Sequence, residues 1–377
     1  MKLFSCQGCG QLLYFENIRC ESCGRPLGYL YDLTEISALD VRPDGGFDVL
    51  AAPGKAYKFC FNYDAGMCNW MLPADSPEQF CAACRYNRTV PDLSVPGNDA
   101  LWRKIETAKH RLFYSLLRLG LPMKNRAEDP EHGLAFDFLA DPPESHASEV
   151  MTGHDNGLIT LAIREADDVV REKVRGEMGE PYRTLLGHFR HESGHYFWDR
   201  LVAADPVRLE ACRALFGDDQ IDYGQALQKH YAEGAPANWQ DSFISMYATT
   251  HPWEDFAETW AHYLHIVDTL ETAGAFGVKV RPRRARGALV AEIDFDPYQA
   301  KTLDMLINAW LPIEFATNSM NRSMGQMDLY PFVLSPKVIE KLAFIHELAQ
   351  ARGKKAKAAS TRQRSGSVQG LRRRAQA

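Results

Sequence analysis

The 377-residue chain has no run of 18 apolar residues, so nothing in it reads as a membrane span. Its first residues, Met1-Lys2-Leu3-Phe4-Ser5, run into a cysteine pair without the apolar core of a secretory signal. On both counts a cytoplasmic protein is expected. Acid is missing from the C-terminus: from Arg352 onward there are nine Lys or Arg residues and no Asp or Glu. Set against a formal charge of −6, those nine leave about −15 on the first 351 residues. A body that acidic excludes a broad nucleic-acid face, and only the tail is suited to an acidic partner or nucleic acid, with strong salt dependence. Internal repeats are lacking apart from two cysteine quartets, and cysteine itself is nearly absent after residue 84, where Cys212 stands alone as a small core residue. In a reducing compartment, clustered cysteines point to metal rather than disulfides. With 45% hydrophobic and 24% charged residues, the composition is that of an ordinary globular protein long enough for two or three units.

Eight of the nine cysteines precede residue 85. Cys6-x2-Cys9 and Cys20-x2-Cys23 are each followed by glycine, Gly10 and Gly24, which permits the left-handed backbone of a metal knuckle. Four thiolates close the coordination shell, so this zinc is structural. Cys81-x2-Cys84 is a second knuckle, and Cys60 and Cys68 are expected to complete a second structural zinc across the Asp64-Ala65-Gly66 loop. Otherwise these thiols pack with Phe59, Phe61, Trp70 and Phe80. Residues 1–95 thus read as a zinc-ribbon unit that needs its metal to fold, and Pro91 to Gly97 as the linker after it.

Downstream, residues 98–351 predict an α+β unit, mostly helical with a small sheet. Apolar residues recur at helical spacing from Asp99 to Leu119, and Leu134, Phe136 and Phe138 alternate as in a strand. Glu149–Thr152 and Leu158–Ile163 flank His154-Asp155-Asn156-Gly157 as the arms of a hairpin. Further helices are expected from Pro181 to about Val202, from Trp253 to about Leu270, from Tyr298 to Trp310 and from Pro336 to about Ala351. Residues 352–377 have no periodicity and read as a disordered basic tail.

The helix after Pro181 carries His191-Glu192-Ser193-Gly194-His195. Four residues make about one helical turn, so both imidazoles share a face and can grip one ion, while Glu192 reaches a water on it as general base. A catalytic zinc takes three protein ligands and keeps one position open. Glu254 supplies the third ligand from the Trp253–His262 helix, and Glu258, one turn on, can accept a hydrogen bond from a ligand histidine. One catalytic zinc therefore joins the two structural ones. His188 reads as an outer hydrogen-bond donor to the centre or as solvated, His262 and His265 read as surface or interface residues, and Asp199 competes with Glu258 to orient His195. Asn318-Ser319-Met320-Asn321-Arg322 reads as a cleft lining or a capped turn.

HExxH followed 59 residues later by a glutamate in E-x-x-A-E resembles the gluzincin zinc metallopeptidases. The stretch from Tyr247 to Glu258 is similar to the corresponding part of anthrax lethal factor, with a tyrosine seven residues before the ligand glutamate and a second glutamate four after it. The resemblance implies a zincin-like fold and Tyr247 as a phenol that donates to the oxyanion or leaving group. It also implies that the strand beside the active helix, here Leu158–Ile163, aligns an extended peptide or protein substrate. The cysteine-rich head with the GHFRHESGH and WEDFAE helices is similar to a bacterial family of zinc-binding metallopeptidases with an N-terminal zinc ribbon. Two other functions fit these residues. One is a zinc-binding scaffold or a protein- or nucleic-acid-binding module without catalysis; the other is zinc hydrolysis of a non-peptide substrate.

Overall fold

The computed structural model describes residues 1–141, 150–284 and 289–351. The basic tail and Glu149 lie outside the described residues. The fold is α+β.

The N-terminal stretch is short-stranded. β1 (Phe4–Ser5) and β2 (Leu12–Leu13) pair antiparallel on either side of the first knuckle. β3 (Leu27–Leu30), β4 (Glu35–Val41), β5 (Phe47–Val49), β6 (Tyr57–Phe59) and β7 (Trp70–Pro73) form a five-stranded sheet in the order β5-β4-β3-β7-β6. Its pairs are antiparallel except β3 with β7, where Tyr29 lies opposite Trp70. Gly28 lies at a close approach: a Cβ there would sit 2.3 Å from the Met71 sulfur, so that buried side chain would have to move.

A second sheet holds β8 (Asn87–Thr89), β9 (Ala135–Leu139), β10 (Gly153–Asp155) and β11 (Leu158–Ala162) in the order β10-β11-β9-β8. β8 and β11 run parallel to β9, and β10 turns back antiparallel on β11. Two expectations are corrected here. The first hairpin arm is Gly153–Asp155, not Glu149–Thr152, because Asn156 and Gly157 have φ of 48° and 87° and close a two-residue turn of the type that matches strand twist. β11 is also an interior strand with a neighbour on each side, so Leu158–Ile163 has no open edge for a substrate. The edge strands are β10 and β8.

Between β8 and β9 runs α1 (Asn98–Leu119), stopped by Gly120 in the left-handed region, where the glycine N–H returns to the Leu116 and Leu117 carbonyls. Its buried face carries Trp102, Ile105, Leu112, Phe113 and Leu116, and also the ionisable side chains of Glu106, Lys109 and His110. The cysteine-rich stretch does not stand apart: Phe15 and Tyr29 meet Tyr114 at ring centroids 5.5 and 6.4 Å away, inside one continuous core. β8, upstream of residue 95, is fastened to β9 by Arg88 Nε donating to Asp137 at 2.9 Å.

The rest is helical. α2 (Asp168–Met178) is capped by Asp167, and α3 (Leu185–Trp198) by Thr184, whose hydroxyl accepts from Gly187 N at 3.0 Å. A π turn, Asp199–Ala203, extends α3, and α4 (Pro206–Phe216), α5 (Tyr223–Glu233) and α6 (Pro252–Ala275) follow. β12 (Lys279–Val280) pairs with β13 (Ala291–Glu292) ahead of α7 (Leu303–Ser323) and α8 (336–351). Tyr298, the expected start of α7, lies in a separate 3-10 turn, Pro297–Gln299. Asn318 on α7 is a support: its amide donates to the Tyr330 carbonyl at 2.9 Å and accepts from the Tyr330 N–H at 3.0 Å. Lys341 on α8 pins α6 through a buried pair with Asp255 at 2.6 Å.

α3 and α6 cross at Gly194, where an added Cβ would sit 2.8 Å from Ala257 Cα. Gly194→Ala would gain about 1 kcal/mol of helix propensity and lose about 1–3 kcal/mol to overpacking. The obstructing atom is backbone and cannot swing aside, so the loss wins. The expected result is a lower midpoint in denaturant unfolding; a midpoint at or above wild type would contradict the close approach.

Candidate metal centre

The α3–α6 crossing brings together the residues singled out by spacing. His195 Nε2 lies 3.2 Å from His191 Nε2, and Glu254 Oε2 lies 2.9 Å from His191 Nε2 and 3.4 Å from His195 Nε2. Their sequence order is local: α3 carries the two histidines one turn apart, and His251 and Pro252 start α6 so that Glu254 falls in its first turn. The His251 ring accepts from Trp253 N at 3.0 Å and, through Nε2, donates to the Ile221 carbonyl at 3.1 Å.

The proton inventory shows what this triangle fits. Glu258 Oε1 lies 2.7 Å from His191 Nδ1, and a carboxylate only accepts, so Nδ1 carries a proton and the neutral ring presents a lone pair at Nε2. Glu254 Oε2, another acceptor, is buried without a hydrogen-bond partner. Acceptors meeting in a buried space repel unless a cation lies among them. Tetrahedral zinc with bonds of 2.0–2.1 Å spaces its ligand atoms about 3.3 Å apart, which these three distances match. The residues fit zinc.

Around the triangle, each group is held. Ser245 Oγ donates to Glu258 Oε2 at 2.6 Å, and the Tyr223 hydroxyl to Glu254 Oε1 at 2.7 Å. Burial works against charge on Glu254, but His195 and His191 outweigh it and hold the carboxyl well below the usual range. For Glu258, too, burial is outweighed, chiefly by His191, and its carboxyl falls to about 2. Burial opposes protonation of His191, yet Glu254 and Glu258 raise it. Glu192, which follows His191 on α3, is 9% exposed. Tyr247 lies with its ring 5.9 Å from that of His191, and burial raises its phenol far above the ordinary value.

His195 is oriented by rings rather than by Asp199. Its Nδ1 finds no hydrogen-bond partner, while Trp253 lies against it at 3.7 Å between centroids and His154 of β10 at 6.0 Å. Asp199 opens the π turn with its carboxyl pushed by burial up to about 6. The three other histidines are not solvated. His188 pairs with Glu165 at 3.3 Å, His262 Nδ1 lies 2.7 Å from the Tyr330 hydroxyl, and Arg190 donates to His265 Nδ1 at 2.6 Å.

Both cysteine quartets converge. Sulfur separations are 3.7 Å for Cys6–Cys23, 3.6 Å for Cys9–Cys20 and 3.7 Å for Cys68–Cys81, against about 3.8 Å for tetrahedral sulfur at a 2.3 Å Zn–S bond. All of Cys60, Cys68, Cys81 and Cys84 are buried and free of disulfides. The second quartet also touches α1: His110 Nε2 lies 3.3 Å from Cys68 Sγ and 3.6 Å from Cys84 Sγ, and Glu106 Oε2 lies 3.6 Å from Cys84 Sγ. Sequence spacing gave no hint of Tyr223, Ser245 or His154. For His110 and Glu106 the signal was three ionisable residues, Glu106, Lys109 and His110, among the apolar positions of one helix.

A family model described as "Putative zinc-binding metallo-peptidase" matches residues 98–348, and a zinc-ribbon domain model matches residues 3–95. A protein of Mycobacterium bovis and its counterparts in two strains of Mycobacterium tuberculosis, all titled uncharacterized, are 44% identical over 346 residues, covering 92% of this chain and 94% of theirs. No solved structure matches. No helix among the described residues is long and apolar enough to cross a membrane. With a metal-ready triangle in the matched segment and two cysteine quartets before it, the chain belongs to this zinc-binding metallopeptidase family and carries its zinc ribbon at the N-terminus.

Proposed function

We propose that the protein is a zinc-dependent peptidase of the gluzincin type. His191, His195 and Glu254 hold the catalytic ion, and the two cysteine quartets hold structural zinc. The observation that carries the reading is the unbonded, buried Glu254 Oε2 within 3.4 Å of Nε2 of both His191 and His195. When bound, zinc supplies Lewis acidity, acidifying water towards a pKa of about 7 and polarising a carbonyl oxygen. Glu192 takes the proton from the attacking water and returns it to the leaving amine. Tyr247 donates its hydroxyl to the developing oxyanion. Glu258 fixes the tautomer of His191, and Ser245 fixes Glu258.

An extended peptide pairs with the outer edge of β10, the strand whose His154 lies against His195. We read 1–95 as the ribbon unit and 98–351 as the peptidase unit in a cytoplasmic protein. The ribbon and the tail's nine cations, the latter outside the described residues, serve recruitment of substrate or an acidic partner.

The test is digestion of a diverse peptide library by wild type, by chelator-stripped protein and by Glu254→Ala, with zinc counted in each. Cleavage by wild type alone is expected, with three zincs per wild-type chain and two in Glu254→Ala. A wild type that holds three zincs and cuts no peptide would make the protein a scaffold or a hydrolase of other substrates.

A further inference from the structure

Every ligand-bearing helix in the centre is deeply packed, but the element that covers it is not: none of the 11 residues of α5 is buried. It is bracketed by Gly217 and Gly234, whose φ of 108° and 74° suit glycine. What fastens it is concentrated at the metal centre. Its first residue, Tyr223, donates to Glu254 Oε1, the carboxylate oxygen turned away from the histidines. The Tyr223 ring lies 5.4 Å from His251 and 6.0 Å from Trp253, the residues at the start of α6, of which Trp253 covers His195. At its other end the His230 ring reaches Thr249 Oγ1 at 3.3 Å and lies 6.3 Å from the Tyr247 ring.

We propose that Tyr223 is the positioning residue that seats α5 on the centre by holding the outer oxygen of Glu254. The inference rests on Glu254 being a zinc ligand, as proposed above. The Tyr223 phenol gives its one proton to the carboxylate. The plane of Glu254 is thereby set by a donor on one oxygen while the other faces the histidines, the kind of outer partner whose loss costs about 10–100-fold in metal affinity. Glu254 is thus governed from one residue on a surface helix.

The test is Tyr223→Phe in the full chain, which keeps the ring and removes the donor, with Tyr247→Phe as comparison. Zinc affinity is read by competition with a chromophoric chelator, folding by thermal midpoint, and opening of 217–234 by amide hydrogen exchange. Tyr223→Phe should bind the catalytic zinc about 10–100-fold more weakly, exchange faster across 217–234 and keep its other two zincs. Tyr247→Phe should keep wild-type affinity, since Glu254 retains its donor. Wild-type affinity and exchange in Tyr223→Phe would reduce Tyr223 to packing and overturn the proposal. Because the readouts are metal and exchange, a wild type that cuts no peptide sinks the peptidase reading while leaving this result to stand or fall by itself.

Discussion

Glu192→Gln is expected to lower kcat by about 10²–10⁴-fold on any peptide the wild type cleaves, with the catalytic zinc still bound. That range corresponds to about 2.7–5.5 kcal/mol of transition-state stabilisation. The amide keeps the volume and an acceptor oxygen but cannot take a proton from water at neutral pH or hand one to a leaving amine. Metal retention follows from the geometry: the triangle of His191, His195 and Glu254 is held by Glu258 and Tyr223, neither of which the change touches. Single-turnover cleavage with zinc counted in the same sample separates the two effects. Equal rates in both proteins would remove Glu192 from the chemistry, and loss of zinc in the variant would assign it to the metal site.

Cys84→Ala should be the most damaging change to the fold. Structural zinc in small domains contributes about 10–16 kcal/mol of apparent binding energy at neutral pH, more than most domains hold in net stability. The second quartet does not end at its own knuckle. His110 and Glu106 bring α1 against its sulfurs, Lys109 pairs with Glu106 at 2.7 Å, and Trp70 lies 5.1 Å from the His110 ring. Without the ion, a buried carboxylate and ammonium on α1 are left facing disordered thiols. The expected outcome is loss of one zinc and of cooperative unfolding as far as α1, seen by calorimetry. Cys9→Ala should be milder, because Cys9 is exposed and Cys23 half-exposed. A Cys84→Ala protein with wild-type zinc and melting would refute the tie between the quartet and the helix.

What the sequence disclosed depended on how local each relation is. The His191–His195 spacing and the two CxxC knuckles are properties of one turn, so their geometry could be read from adjacent letters. Glu254 became legible because a second helix with its own period had to face the first. The place of Leu158–Ile163 in its sheet could not be read: alternation tells which face is buried, not which edge is open, and β9 and β10 claim both edges. His262 and His265 looked solvated because their partners, Tyr330 and Arg190, lie 68 and 75 residues away. Tyr223 had no signal at all; its bond to Glu254 joins residues 31 apart through a loop and a surface helix.

The parallel pairing of β8 with β9 bears on how the protein is made. On the ribosome the strand at 87–89 emerges before α1 and must wait, unpaired, until 135–139 has followed it. Closing parallel strands over an intervening helix is slow, so the newborn chain carries a sticky border through that interval. Zinc captured early by the cysteines just upstream would shelter it, which couples metal supply during synthesis to the yield of correctly assembled protein.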